Sequence, residues 1–256
     1  MIYHRMLTTY AVLLALVALA GLPGCASSPP QPESLSPLEL ATTPAPLEES
    51  WAVDWWIPRH NEKLAARHPG IDLVMIGDSI THGWEDSGRV VWERHFEDID
   101  VLNLGFSGDR TEHVLWRLEH GEVEGLSPGL VVVMIGTNNT GHRMDGPEII
   151  AVGVRKILGE IEVRLPGTPI LLLAIFPRGE SRDDPMHVNN WETNRLLVKL
   201  AAETGADYAD FNAGFLTESG KLGRDIMPDL LHPNEAGYEI WARQLEPWLA
   251  MYLNGR

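Results

Sequence analysis

The chain has 256 residues, of which 44% are hydrophobic and 22% are charged. These proportions are ordinary for a globular protein, and the length suits a main body of one domain. The formal net charge is −16. Because phosphate binding requires clustered Lys and Arg, this charge argues against a nucleic-acid partner.

The first 25 residues are interpreted as an export signal. Arg5 precedes an almost wholly apolar stretch at residues 10–22, and Leu22-Pro23-Gly24 then leads into Cys25, the only cysteine. The stretch is shorter than the ~20 apolar residues that comfortably span a bilayer. It resembles the lipobox of bacterial lipoproteins, which implies cleavage before Cys25, acylation of its thiol and anchoring of an exported protein to the cell envelope. An ordinary secretory signal and an uncleaved anchor are the alternatives.

Residues 26–50 are predicted to form an extended tether. They are rich in Pro, Ser, Thr and Ala, and prolines remove backbone donors and disfavour helix. The folded domain is predicted for residues 51–256. It opens with a helix, because aromatic and apolar residues recur there at helical spacing: Trp55, Trp56, His60 and Leu64. His60 is therefore assigned to a packed helix face.

Beyond residue 70 the sequence alternates short apolar runs with longer amphipathic segments. The apolar runs predict strands at residues 71–76, 99–104, 130–135, 170–176 and 207–211. The intervening segments predict helices at residues 90–95, 111–120, 147–165, 188–204 and 235–253, with Asp109 or Thr111 as a candidate cap of the second. This alternation is typical of a parallel sheet covered on both faces. The predicted fold class is α/β, a three-layer α/β/α sandwich with a flavodoxin-like five-stranded parallel sheet.

Glycine-bearing polar turns follow the first three predicted strands. They contain Ser79 in residues 77–80, Gly105 in residues 103–110 and Asn138 in residues 136–139. Because the carboxyl ends of parallel strands meet at one edge of the sheet, we expect these turns to converge. Backbone N–H groups and an amide side chain at one point could stabilise an oxyanion.

A serine needs a histidine to accept its proton and a carboxylate to orient that histidine. Asp229 and His232 offer such a pair in the loop before the last helix. Asp184 and His187 repeat the same spacing, so spacing alone leaves both pairs open. Position favours Asp229 and His232, because His187 is expected to open the helix after the fourth strand.

Four sequence blocks resemble those of the SGNH, or GDSL, hydrolases. They are Gly-Asp-Ser-Ile around Ser79, the Gly105 block, Gly-Thr-Asn-Asn around Asn138, and Asp-Leu-Leu-His-Pro-Asn around His232. The resemblance implies the SGNH hydrolase fold, with Ser79 as nucleophile, His232 as base and Asp229 as its partner. It also implies an oxyanion hole made by the Ser79 N–H, the Gly105 N–H and the Asn138 side chain.

The sequence is also similar to the catalytic subunits of intracellular platelet-activating-factor acetylhydrolases, through residues 103–105, 108–109, 112–119, 136–139 and 177–180. This resemblance implies an esterase for small-acyl, chiefly O-acetyl, esters, and export favours carbohydrates or glycoconjugates as substrates. The alternatives are a lysophospholipase, lipase or thioesterase acting on lipids, and a non-catalytic surface-tethered binding module.

Several residues near the blocks are candidates for a substrate pocket. They are Asp78, His82, Trp84 and Asn139. Whether His187 or Arg178 contacts substrate is left open by the sequence, as is the oligomeric state. No metal-binding motif and no dinucleotide or Walker-type glycine pattern is present in the sequence, so neither a metal nor another cofactor is expected.

Overall fold

The computed structural model describes residues 34–254. The predicted export signal and Cys25 lie outside the described residues. From Leu35 onward the chain forms one compact unit. No helix within residues 34–254 combines the length and the apolar character needed to cross a membrane.

A five-stranded parallel sheet with strand order β2-β1-β3-β4-β5 forms the centre of this unit. The strands are β1 Leu73–Gly77, β2 Val101–Gly105, β3 Leu130–Met134, β4 Ile170–Leu173 and β5 Asp207–Ala209. All five predicted strands and the flavodoxin-like order are confirmed. β4 ends earlier than predicted because the backbone N–H and carbonyl of Ile175 bond to the Asn194 side chain instead of a neighbouring strand.

Helices connect and cover the strands. Within the described residues they are α1 Pro37–Thr42, α2 Trp56–Ala66, α3 Ser79–His82, α4 Arg89–His95, α5 Thr111–Glu119, α6 Thr137–Arg143, α7 Pro147–Arg164, α8 Pro185–Thr204 and α9 Glu235–Leu253. The predicted helices are confirmed, whereas α3 and α6 replace segments expected to be turns. The predicted caps of α5 are wrong: Arg110 is its N-cap, because the buried Asp109 carboxylate instead accepts bonds from Trp56 and Arg117.

Two apolar cores lie on the two faces of the sheet. Alternate β1 residues Val74 and Ile76 face the core that contains apolar residues of α5, α7 and α8. Their neighbours Leu73 and Met75 face the core that contains apolar residues of α4 and α9. Because successive strand side chains point to opposite faces, one strand supplies both cores and the three-layer sandwich follows.

The prediction of an extended tether is wrong for residues 35–50. Ser36 and Glu39 form a capping box around Pro37 at the start of α1, and proline is tolerated in a first helical turn. Ala41 and Leu47 are buried. The segment is fastened to the sandwich, because the Ala41 carbonyl accepts a 2.8 Å bond from the Thr111 hydroxyl. The folded domain therefore begins before residue 51 and includes residues 35–50.

Candidate active site

Ser79, His232 and Asp229 form a continuous chain of hydrogen bonds at the carboxyl edge of the sheet. Ser79 Oγ lies 2.8 Å from His232 Nε2. His232 Nδ1 lies 2.6 Å from Asp229 Oδ2. The structure thus brings together the three side chains that the sequence proposed as nucleophile, base and orienting carboxylate. The His232 ring keeps 42% of its side-chain surface exposed, so solvent and ligands can reach it.

A tight turn presents Ser79. β1 ends at Gly77, where an added Cβ would lie 2.1 Å from Thr81 Oγ1 and 2.7 Å from the Met134 carbonyl oxygen. Only glycine allows that close approach. Asp78 then caps α3 by accepting the Ile80 N–H at 3.0 Å, which leaves Ser79 as the first helical residue at the end of a buried strand.

A local turn holds Asp229 and His232 in register. Leu230 between them adopts a left-handed conformation with φ 63°, which costs free energy for a residue other than glycine. This turn lets Asp229 Oδ1 accept the N–H groups of Leu231 at 3.0 Å and His232 at 2.7 Å. Burial acts to raise the pKa of Asp229, but the hydrogen bonds from His232 outweigh it and hold that pKa below its ordinary value. The carboxylate is therefore kept ionised beside the imidazole.

The structure contradicts the prediction that the Gly105 N–H is an oxyanion donor. That N–H donates to Asn103 Oδ1 at 2.8 Å, and an added Cβ on Gly105 would lie 2.1 Å from the backbone nitrogen of His82. Gly105 is therefore needed for close packing of β2 on α3. Gly108, three residues further on with φ 82°, is the alternative candidate in this loop, because its N–H donates no hydrogen bond within the described residues.

Three N–H groups in the segments after β1, β2 and β3 are candidates to donate hydrogen bonds to an oxyanion. The N–H groups of Ser79 and Gly108 donate no hydrogen bond within the described part of the chain. The Asn138 amide donates one 3.0 Å bond to the Asp109 carbonyl, and its second N–H has no partner in residues 34–254. The sequence signal for Gly108 was a glycine in the polar turn that follows β2. Residues 105–108 contain two glycines, and only the structure shows that Gly108 is the one with a positive φ.

Three of the four predicted pocket residues are buried and serve the fold. Asp78 is 1% exposed, and burial raises its pKa to about 6. Trp84 is 1% exposed and packs against the rings of Tyr238 and Trp241. Asn139 is fully buried and bonds to Thr111 and Asp145. The prediction that they line the substrate pocket is therefore wrong for Asp78 and Asn139, which are at most 1% exposed. Trp84 lines a cavity of about 460 Å³ with Glu85 and Trp92, a cavity to which Ser79 does not contribute.

His82 is the fourth candidate, and it borders the site. Its Nδ1 lies 3.0 Å from Ser107 Oγ, in the loop that also contains Gly108. Its ring lies 6.0 Å from that of Trp55, which in turn lies 6.2 Å from that of Trp51. Burial, and secondarily the charge of Arg59, lowers the pKa of His82 to about 4, so its imidazole is neutral at pH 7.

The rival pair does not form a second relay. Asp184 caps α8 by accepting the Met186 N–H at 2.9 Å, and the His187 Nδ1 atom is buried with no partner in the described residues. His187 lines a cavity of about 450 Å³ beside α8, a cavity to which Ser79 does not contribute. Arg178 bonds to the Thr137 carbonyl at 2.6 Å and thereby holds the start of α6. Within residues 34–254 no three His, Cys, Asp or Glu side chains group as metal ligands would.

A serine-histidine-aspartate relay at the carboxyl edge of a parallel sheet defines a class, the serine hydrolases with an α/β/α sandwich. The family model described as the GDSL-like Lipase/Acylhydrolase family matches residues 75–240. The chain is 32% identical over 215 residues to human platelet-activating factor acetylhydrolase IB subunit alpha1, covering 83% of this chain and 90% of that protein. The chain belongs to the GDSL-like lipase/acylhydrolase family, and it is a hydrolytic enzyme.

Two examples illustrate the solved structures that share the fold. A member of the lipolytic protein G-D-S-L family from Veillonella parvula superposes with a TM-score of 0.55 at 20% identity, covering 69% of this chain and 97% of that one. Axe2, an acetylxylan esterase from Geobacillus stearothermophilus, superposes with a TM-score of 0.52 at 21% identity, covering 69% and 93%. At this identity the similarity concerns the fold.

Proposed function

We propose that the protein is a serine esterase that removes small acyl groups, acetyl foremost, from carbohydrates or glycoconjugates. The observation that carries the proposal is the relay from Ser79 Oγ through His232 to Asp229, with distances of 2.8 Å and 2.6 Å. A hydroxyl within hydrogen-bond reach of a histidine whose other nitrogen is held by a carboxylate is the arrangement required of an activated serine.

The first half of the reaction forms an acyl-enzyme. His232 Nε2 takes the Ser79 hydroxyl proton while Oγ forms a bond to the ester carbonyl carbon. The carbonyl electron pair moves onto oxygen, and the N–H groups of Ser79 and Gly108 and the free amide N–H of Asn138 stabilise it. When the tetrahedral species collapses, the C–O bond to the alcohol breaks and the leaving oxygen takes the proton from His232.

The second half releases the acid. His232 accepts a proton from a water molecule, whose oxygen attacks the acyl carbon and regenerates the same oxyanion. The bond to Ser79 Oγ then breaks and Oγ recovers its proton from His232. Asp229 stays ionised throughout, in agreement with its lowered pKa, and stabilises the transient imidazolium.

The choice of substrate rests on two lines of support. The word acetylhydrolase in the name of the human relative supports an acetyl group. The acetylxylan esterase among the structural neighbours, together with predicted export, supports a carbohydrate rather than a lipid alcohol.

The test is acetate release from a panel of acetylated glycans and phospholipids, combined with nitrophenyl esters of increasing acyl length. The expected result is hydrolysis of acetylated glycans, a steep fall in rate beyond short acyl chains, and no activity in Ser79→Ala. Preference for long acyl chains or for phospholipids would instead identify a lipase or lysophospholipase. A folded protein that hydrolyses no ester would support a binding module.

We also propose that the protein is exported and anchored through lipid on Cys25, as the sequence of its first 25 residues suggests. The expected result is that the full chain sediments with membranes and that Cys25→Ser moves it to the soluble fraction. A variant that stays with the membranes and keeps its full length would instead indicate an uncleaved anchor.

A further inference from the structure

An indole ring lies directly against the loop that carries the Gly108 N–H. A Cβ added to Gly108 would lie 2.2 Å from Cη2 of Trp51, so ring and loop are in contact. Trp51 itself is 50% exposed. This half-exposed aromatic surface therefore borders the position where an ester carbonyl would receive its hydrogen bonds.

The Trp51 ring is held in position by the buried residues of the turn in which it lies. Ala52 and Trp56, which follow Trp51 in the chain, are fully buried. Trp56 Nε1 donates a 2.7 Å bond to Asp109 Oδ1, on the residue that follows Gly108. The Trp55 indole also donates to the Trp51 carbonyl at 3.1 Å. Trp51 is therefore held by a turn that is anchored to the folded domain.

A polar edge adjoins the aromatic surface. The rings of Trp51 and Trp55 are 6.2 Å apart, and the His82 ring follows at 6.0 Å from Trp55. His82 Nδ1 is occupied by Ser107 Oγ at 3.0 Å, and its Nε2 has no partner in the described residues. Two aromatic rings and a neutral imidazole nitrogen thus form one surface beside Ser79, which precedes His82 by three residues.

We propose that Trp51, Trp55 and His82 form a subsite for the sugar ring of the substrate, a pyranose whose apolar face packs on the indoles and whose hydroxyl bonds to His82 Nε2. This inference rests on the proposed esterase function and names the group that occupies the alcohol side of the site. A pyranose offers one apolar face and a polar rim, which matches this surface. A long acyl chain gains free energy only where its methylenes are buried, and a half-exposed indole buries few of them.

The test compares Trp51→Ala with Trp51→Phe, using acetylated xylo-oligosaccharide and ethyl acetate as substrates. Ethyl acetate carries no ring to stack. The matched control is Trp191→Ala, because Trp191 is 53% exposed on α8 and lines the cavity to which Ser79 does not contribute. Binding of unacetylated xylo-oligosaccharide to Ser79→Ala, with and without the Trp51 changes, gives a readout that needs no catalysis.

The expected result is that Trp51→Ala lowers kcat/KM for the oligosaccharide about tenfold more than for ethyl acetate, mainly through KM. Trp51→Phe should recover most of that loss, Trp191→Ala should lose nothing, and oligosaccharide binding should weaken in parallel. Equal losses on both substrates would overturn the subsite while leaving the esterase intact. If the wild type hydrolysed no ester, the proposed function would fail, and the binding measurement alone would still decide whether the subsite exists.

Discussion

The side-chain amide of Asn138 donates a 3.0 Å hydrogen bond to the backbone carbonyl of Asp109. This bond joins the loop after β2 to the start of α6 after β3. It fixes one N–H of the Asn138 amide and thereby orients the other. The relative position of the Gly108 N–H and the Asn138 N–H is therefore set before any substrate binds, as electrostatic preorganisation requires.

The first prediction compares two adjacent asparagines. Asn138→Ala should lower kcat by ~10²–10³ with a small change in KM, because one oxyanion donor is lost. Asn139→Ala should instead lower the free energy of unfolding by about 1–3 kcal/mol, because it removes buried bonds to Thr111 and Asp145. Steady-state kinetics and urea denaturation of both variants separate the effects. A large kcat loss in folded Asn139→Ala, with none in Asn138→Ala, would reverse the assignment.

The second prediction separates the two Asp-x-x-His pairs. Asp229→Asn should lower kcat on the order of 10⁴-fold, since an amide no longer stabilises the required tautomer of His232. Asp184→Ala removes the cap of α8, so it should cost about 1 kcal/mol of stability and leave kcat unchanged. Rate measurements on folded protein decide the point. Comparable activity in Asp229→Asn and the wild type would exclude Asp229 as the orienting group.

The sequence was sufficient to predict the sheet, because buried parallel strands appear as short continuous apolar runs. It was also sufficient to predict that Ser79, Asp229 and His232 lie at one edge of the sheet, because the carboxyl ends of parallel strands meet at the same edge. It could not choose between Gly105 and Gly108, because that choice depends on where the Asn103 side chain points.

The sequence likewise could not predict which tryptophan side chains are exposed. Trp84 is buried by rings from α4 and α9, whereas Trp51 is left half-exposed by a turn anchored through Trp56.

Helix α1 could have been predicted from the sequence, although no helix was predicted there. Ser36, Pro37 and Glu39 form a recognisable helix start, but the prolines around them give residues 26–50 the composition of an extended tether.

The third prediction concerns this N-terminal segment. Leu47 is 3% exposed, so Leu47→Ala should lower the free energy of unfolding by about 2–5 kcal/mol. Leu38 on α1 is 45% exposed, and Leu38→Ala serves as the matched control with an expected effect within about 0.5 kcal/mol. Urea denaturation measures both. Equal stability of Leu47→Ala and the wild type would mean that residues 35–50 are a spacer after all.

The fourth prediction uses the buried Asp78 carboxyl, whose pKa is raised by burial from 3.8 to about 6. A carboxyl with a raised folded-state pKa stabilises the fold by holding its proton, and this contribution is lost as pH rises through about 6. Asp78→Asn does not titrate, and its amide oxygen can still accept the Ile80 N–H. Between pH 5 and 8 the wild type should lose about 1 kcal/mol more stability than Asp78→Asn.

Urea denaturation at the two pH values measures this difference, with Asp54→Asn at an exposed position as the control that should follow the wild type. Parallel pH profiles for the wild type and Asp78→Asn would contradict a raised pKa at Asp78.

The central claim is that Ser79 is a nucleophile activated by His232 across 2.8 Å. The most direct measurement is labelling of residues 34–256 with a fluorophosphonate, followed by mass-spectrometric location of the adduct. One adduct per chain on Ser79 is predicted, with no labelling in Ser79→Ala and slow labelling in His232→Ala. An adduct on another residue, or no adduct on folded wild type, would contradict the claim.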